Sequence, residues 1–173
     1  MPASDAGSQA VIHDRLVTLR ELAGVMLDAQ HWGDDSHTGE AMTRRIISTP
    51  DAPGSAAYPM GAFPFSQAVV AAGLVFVAGQ NPISSSDGSV VGTTIQDQTR
   101  RCLQNIEAIL VTAGSSMDKV VLATFFLRDA ADFAGMNDEW VRWFPVDPPA
   151  RQGARHWLDV EEIRVAFAVI AEA

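Results

Sequence analysis

Two prolines near the C-terminus, Pro148 and Pro149, stand directly before Ala150 and Arg151. Proline fixes the backbone angle φ and disfavours helix at the residue before it, so this pair predicts that a strand begins here. A second, nearly uncharged segment, residues 163–171, also reads as a strand and closes the chain. Arg151 would then lie at a rigid strand entrance, where its planar guanidinium suits a carboxylate. By position alone, a surface arginine that follows a loop is the simpler interpretation.

The composition indicates one soluble globular domain that binds neither nucleic acid nor a membrane. The 173 residues are 47% hydrophobic, which is enough for a core, and the net charge of −9 opposes binding to phosphate. The single cysteine, Cys102, excludes an intramolecular disulfide, and we interpret it as a small core residue. The apolar run at residues 68–79 is too short to span a bilayer, and we expect no signal peptide because the N-terminus has no basic segment before an apolar one. We therefore expect a cytoplasmic protein.

Residues 1–44 differ in pattern from the rest and are predicted to form an N-terminal extension, with residues 45–173 as the folded domain. Apolar residues recur every three or four positions from residue 10 to about residue 30, which predicts an amphipathic helix. Its apolar stripe would pack on its own subunit or on a neighbouring chain. Two histidines and two aspartates follow between residues 31 and 37, but no periodicity sets them in register. A solvated linker explains them better than a metal site, and we expect no metal.

Strand patterns recur through the folded domain. A short strand is predicted at residues 44–49, and a tight hairpin at residues 65–78 with Gly73 in its turn. Residues 51–64, rich in Pro, Gly and Ala, form the loop between them. Residues 120–127 are apolar on both faces, so we expect a central strand that is covered on each side.

Two helices are predicted between these strands. Thr93 and Gln96 match a capping box, in which the hydroxyl accepts a bond from the backbone three residues on and Gln96 reaches back. Gly114 ends that helix, and Asp129 caps the second one. The order strand, hairpin, helix, strand, helix, strand, strand predicts an α+β fold with two helices on one face of a mixed sheet.

Several segments resemble the RidA/YjgF family. They are residues 64–69, residues 74–82, residues 105–110 before Gly114, Met136 with Asn137, and the signature Pro149-Ala150-Arg151. The resemblance covers about residues 45–171 and leaves residues 1–44 outside. It implies a chorismate-mutase-like fold and a homotrimer with a cleft between each pair of subunits. In archetypal members, water hydrolyses small 2-imino or 2-enamino acids there to a 2-keto acid and ammonia, without cofactor or metal.

The same resemblance implies where the ligand binds. The family arginine that holds the substrate carboxylate corresponds to Arg151, which is therefore the candidate catalytic residue. Asn137 matches an asparagine near the pocket, and Gly79 lies on a strand that helps to line it. The expected partners are a small carboxylate-bearing compound and two further copies of this chain.

Four expected pocket positions depart from the family pattern. The glutamate that positions water in archetypal deaminases is Ala168, the tyrosine is Phe65, a serine or threonine is Ala78, and a cysteine or threonine is Gly153. A positioned acid or base typically contributes ~10²–10⁴-fold in rate, so imine hydrolysis should be much weaker unless another group replaces the glutamate. Candidate replacements lie in the turn before the last strand: Asp159, Glu161 and Glu162.

These departures predict a larger and more apolar cleft. Arg155 and Trp157 share the strand phase of Arg151, so they either line this cleft and suit a larger ligand, or pack at an interface. The first hypothesis is a divergent RidA-like enzyme that acts on an imine, enamine or related carbonyl acid. The alternative is a trimer that binds a small acid without turnover, or that catalyses a different reaction. A ribonuclease, as reported for some relatives, is disfavoured by the charge of −9.

Overall fold

The structure, a computed structural model, describes residues 44–57, 64–155 and 160–173, all within the compact unit Met42–Ala173. The predicted N-terminal helix, the histidine and aspartate cluster, Trp157 and Asp159 lie outside the described residues. The strands are β1 (Arg45–Ile47), β2 (Ala68–Ala71), β3 (Leu74–Gln80), β4 (Val120–Leu127), β5 (Ala150–Arg155) and β6 (Val165–Glu172). The two α-helices are α1 (Ile95–Ala113) and α2 (Phe133–Trp143).

The six strands form one mixed sheet in the order β1-β2-β3-β6-β4-β5. Only β4 and β5 run parallel, while the remaining neighbours within this sheet are antiparallel. The connection from β4 to the parallel β5 contains α2, as a crossover between parallel strands requires. The predicted α+β fold is confirmed. No helix among the described residues is long and apolar enough to cross a membrane.

The predicted hairpin is present, with a turn of two residues in the left-handed region. Ala72 has φ 51° and Gly73 has φ 73°, the geometry of a primed turn whose twist matches that of the strands. β2 begins three residues later than predicted, at Ala68 and not at Phe65. The buried side chain of Gln67 bonds instead to loop backbone, since its Nε2 donates to the carbonyl oxygens of Thr49 and Ala52 at 3.0 and 2.8 Å.

The N-cap of α1 lies one residue after its predicted position, whereas the C-terminal end is as predicted. Thr94, and not Thr93, is the N-cap of α1, and its Oγ1 accepts a bond from the backbone N–H of Asp97 at 3.1 Å. Its hydroxyl also donates to the Asp97 carboxylate at 2.6 Å, so Gln96 is not the reciprocal partner. Gly114 ends α1 with φ 88°, as predicted.

Asp129 caps a short 3-10 helix that precedes α2. Its side chain accepts a bond from the backbone N–H of Ala131 at 2.9 Å, and α2 itself begins at Phe133. The prediction that Asp129 caps the second α-helix directly was therefore wrong by one helical turn. Asp132, the residue before α2, pairs with the guanidinium of Arg164 just before β6, which fixes the start of the helix against the sheet.

An ion pair between buried Glu139 and partly exposed Arg100 joins the two helices. The Glu139 carboxylate in α2 accepts two bonds from the Arg100 guanidinium in α1, at 2.9 and 2.8 Å. Burial raises the pKa of Glu139, but the bonds from Arg100 and from the Trp143 indole outweigh it, so this pKa lies below its usual value. The bidentate contact holds α2 in a defined position above the sheet.

The two faces of the sheet are covered differently. Both helices pack on one face, here called the helix-covered face, whose buried side chains include Val75, Ala123, Val165, Phe167 and Val169. The other face, here called the open face, carries Phe76, Leu122, Thr124, Ala168 and Ile170, and no described helix covers it. Phe76 is 41% exposed. The prediction that both faces of β4 are covered is therefore wrong for the described part of a single chain.

Candidate functional site

Arg151 lies at the start of β5, the edge strand next to β4, as the paired prolines predicted. It is opposite Ala123 in the register, so its side chain lies on the helix-covered face beneath α2. Three aromatic rings surround it: the guanidinium carbon is 5.0 Å from the Trp140 ring centre, 5.2 Å from that of Phe125 and 5.7 Å from that of Phe133. Such cation–π contacts fix a guanidinium in place, and Arg151 is thus not a simple surface arginine.

The Arg151 guanidinium has no anionic partner among the described residues. Its Nη1 is buried without a hydrogen-bond acceptor in that same part of the chain. Burial alone accounts for the lowered pKa of this side chain, since water has been removed and no carboxylate compensates. A buried cation that lacks a counterion is costly. A bound carboxylate would restore the missing interaction.

Asn137 lies on the same face of α2 as two of the rings around Arg151. It follows Phe133 by four residues and precedes Trp140 by three, and these spacings place all three side chains on one side of a helix. Its Oδ1 is buried and has no donor within the described residues. Buried polar atoms are nearly always hydrogen-bonded, so an unpaired acceptor and an unpaired donor on facing elements are typical of a ligand site.

Gly153 is on the Arg151 face, directly opposite Phe125 of β4. A β carbon at residue 153 would collide with three atoms of the Phe125 ring, the farthest of them 2.9 Å away. The space left by the missing side chain is therefore filled by this ring. The prediction that the change to glycine enlarges the cleft was wrong here, because Phe125 occupies the vacated volume.

The remaining predicted residues lie away from Arg151. Ala168 is opposite Thr124, and Ala78 alternates with Phe76, so both lie on the open face. Gly79 follows in β3, with no atom within 4 Å of the position of a β carbon. Phe65 packs on a small separate cluster around Ile83 and Ile163.

The seven predicted residues thus fall into two groups. The first group, here called the arginine half-site, lies on the helix-covered face and consists of Arg151, Asn137 and Gly153. The second, here called the alanine half-site, consists of Phe65, Ala78, Gly79 and Ala168. One chain does not bring the two half-sites together.

Charged residues also lie near the end of β5 and in the turn before β6. Arg155 lies on the face of Arg151, as its phase predicted, and is exposed at a groove that Phe125 and Phe133 also line. Glu161 and Glu162, two candidate replacements for the missing glutamate, are exposed in the turn before β6. The described ranges contain no group of three or more His, Cys, Asp or Glu side chains placed to hold a metal ion.

Sequence reasoning missed the aromatic rings that surround Arg151. Trp140 and Phe125 pack against the core, whereas Phe133 is 43% exposed, and each of the three rings contacts the guanidinium. The pairing of Gly153 with Phe125 becomes visible only once the register of β4 and β5 is known.

Comparison with known proteins agrees with this geometry. Residues 55–172 match the model of a family described as Endoribonuclease L-PSP. A RutC family protein of Pyrococcus horikoshii is 43% identical over 108 residues, which is 62% of this chain and 81% of that protein. Reactive Intermediate Deaminase A, chloroplastic, of Arabidopsis thaliana is 34% identical over 116 residues, which is 67% of this chain and 59% of that protein.

Solved structures show the same fold. The crystal structure of E. coli TdcF with bound serine superposes with a TM-score of 0.65 at 30% identity, covering 75% of this chain and 98% of that one. The structure of yeast Mmf1 gives a TM-score of 0.67 at 30% identity and covers 75% and 98% of the two chains.

Proposed function

Since the chain belongs to the RidA/YjgF family, whose model is described as Endoribonuclease L-PSP, we propose that it hydrolyses a small carboxylate-bearing imine or enamine. The site would lie in a cleft between subunits of a homotrimer. The half-buried guanidinium of Arg151, whose Nη1 is buried and unpaired within the described residues, carries this proposal, because a bound anion would supply the missing acceptor. A relative named Reactive Intermediate Deaminase and a relative with bound serine support the class of chemistry and the class of ligand.

The separation of the two half-sites supports an inter-subunit cleft. Side chains on opposite faces of one sheet cannot contact the same small ligand, because the sheet itself lies between them. A second copy, with its open face against the Arg151 edge of the first, brings Ala168 and Gly79 of one copy to Arg151 of the other. The open face is apolar and leaves Phe76 41% exposed, as is typical of a surface that a partner covers.

The proposed reaction needs one anchored ligand and one water molecule. Arg151 holds the carboxylate of the 2-imino acid, through charge-assisted bonds that contribute about 1.5–3 kcal/mol. Water adds to the imine carbon, the carbon–nitrogen bond then breaks, and a 2-keto acid and ammonia leave. The charge on Arg151 keeps the imine carbon in a fixed position throughout this sequence.

A second candidate function is binding without turnover. Ala168 presents a methyl group where archetypal relatives have the glutamate that positions water, and its cross-strand neighbour Thr124 is not a base at neutral pH. With the arginine half-site intact and no acid or base in the alanine half-site, the trimer would bind a small acid and release it unchanged.

The test generates imines in situ with an amino-acid oxidase and follows the release of ammonia. The variants are Arg151→Ala, Arg151→Lys and Ala168→Glu, with Arg44→Ala as a control for charge at an exposed position. Turnover by the wild type that falls at least about tenfold in Arg151→Ala, and only partly in Arg151→Lys, supports the enzyme. Turnover that appears only in Ala168→Glu supports binding alone. Measurable turnover at equal rates in the wild type and Arg151→Ala contradicts both functions.

A further inference from the structure

We propose that the natural ligand carries an aromatic side chain, and that the Phe125–Gly153 pair selects for it. This inference rests on the proposed function, because it takes Arg151 as the carboxylate anchor. It gives Phe125 and Gly153 a role in specificity. In the sequence alone, Gly153 is only a lost side chain and Phe125 only an apolar strand residue.

The first observation is a groove that begins one ring away from Arg151. It lies on the helix-covered side between the ends of β4 and β5 and the start of α2, and it has a volume of about 1150 Å³. Its apolar lining consists of Phe125, Leu127, Ala130, Phe133, Gly153 and Ala154, and the charged residues Arg128, Asp129 and Arg155 also line it. A groove of this size holds a ring against its apolar part.

The second observation is that two of these residues also contact the guanidinium. The ring centres of Phe125 and Phe133 are 5.8 Å apart, with their planes tilted by 48°. Each ring also lies within 6 Å of the Arg151 guanidinium carbon, at 5.2 and 5.7 Å. The pair therefore forms one wall of the groove and also contacts the cation.

The geometry of an aromatic 2-imino acid fits this wall. In such a compound only the α and β carbons separate the carboxylate from the ring, so a ligand held by Arg151 places its ring against Phe125 and Phe133. Tilted ring–ring contacts add to the gain from burying apolar surface. An imine with a methyl side chain ends before the groove and gains neither contribution.

The third observation explains why residue 153 is glycine. Any β carbon there would collide with the Phe125 ring, so the ring reaches its position only because that carbon is absent. Phe125 and Gly153 are thus one structural unit. The charged residues at the rim contribute less, because Arg128 is already bonded to the carbonyl oxygens of Ile163 and Val160.

The experiment measures binding of two stable reaction products, phenylpyruvate and pyruvate, to the full chain by calorimetry. The wild type should bind phenylpyruvate at least about tenfold more tightly than pyruvate. Phe125→Ala should reduce this ratio about fivefold or more, because the contact between the two rings is lost for phenylpyruvate alone, whereas any loosening of Arg151 weakens both ligands alike. Phe125→Leu should give an intermediate ratio, and Val141→Ala, an exposed change on α2, should leave the ratio unchanged.

Two results would overturn the inference: pyruvate binding as tightly as phenylpyruvate, or a ratio that Phe125→Ala leaves unchanged. Wild-type binding alone decides the first, so the inference stays testable even if Phe125→Ala fails to fold. Its failure is distinct from failure of the proposed function. Preferred binding of phenylpyruvate with no turnover of any imine contradicts hydrolysis but supports the ring selectivity. Turnover of aliphatic imines with no preference for aromatic ligands supports hydrolysis but contradicts the ring selectivity.

Discussion

Arg151 and Ala168, one from each half-site, lie on opposite faces of one sheet and offer different chemistry. The arginine half-site contains a half-buried cation and an amide, in which Arg151 Nη1 and Asn137 Oδ1 are buried and unpaired within the described residues. The alanine half-site offers only methyl groups, a benzyl ring and a glycine. In the proposed function, ligand recognition and water activation would therefore depend on separate surfaces. A substitution on one face need not disturb the other.

The largest expected effect tests whether the open face is covered by another copy. Phe76→Glu places a carboxylate in the middle of this face, where burial of an unpaired charge costs several kcal/mol. We expect the proposed trimer to dissociate and turnover or ligand binding to be lost with it, because the two half-sites would then separate. Analytical ultracentrifugation over a range of concentrations measures the mass of the assembly.

The matched control for this change is Val111→Glu on α1. Val111 is 64% exposed, and it lies on a helix surface that the proposed interface does not use. The control should leave the mass of the assembly unchanged. If Phe76→Glu remains associated to the same degree as Val111→Glu, the open face is not the interface, and the inter-subunit cleft must be rejected.

A smaller effect, on the free energy of unfolding, is expected to distinguish Gly153 in the arginine half-site from Gly79 in the alanine half-site. Gly153→Ala forces the Phe125 ring out of its position, and overpacking of this kind costs about 1–3 kcal/mol in the free energy of unfolding. Gly79→Ala meets no atom within 4 Å and should change that free energy by less than about 0.5 kcal/mol. Urea denaturation at one fixed protein concentration compares the two variants.

The double variant Phe125→Val with Gly153→Ala tests whether the Phe125 ring is what the added methyl group meets. The smaller side chain makes room for the added methyl group, so the two changes together should cost less than the sum of the single changes. Strict additivity, or an equal loss of stability for Gly79→Ala and Gly153→Ala, would contradict the contact between Phe125 and residue 153.

Local sequence patterns predicted the elements well and the contacts between elements poorly. Apolar residues predicted a strand at 120–127, which is β4, and the prolines predicted the start of β5. These signals are local, since they depend on φ restriction and on the period of one segment. The shift of the cap from Thr93 to Thr94 shows their limit, because adjacent threonines offer equivalent caps and the Asp97 carboxylate favours the second.

The half-sites could not be located from local patterns alone. The position of Phe125 over Gly153 depends on the parallel register of two strands that are 28 residues apart at these positions. Likewise, the resemblance placed Arg151 and Ala168 in one pocket, whereas only the register shows that they lie on opposite faces of a chain. The family pattern thus supplied the candidate site residues, and tertiary structure was needed to assign them to separate surfaces.

The smallest expected effect on stability concerns the buried amide in the arginine half-site. Asn137→Leu removes no hydrogen bond found among the described residues, so the free energy of unfolding should change by less than about 0.5 kcal/mol. Gln98→Leu is the matched control, since that buried amide bonds to the Gly92 and Glu162 carbonyl oxygens and to the Arg164 N–H, and its loss should cost about 3 kcal/mol. Calorimetry should show the opposite order for 2-keto acids, with affinity lowered about tenfold by Asn137→Leu. An Asn137→Leu variant that is as unstable as Gln98→Leu would show that this amide serves the fold and not the ligand.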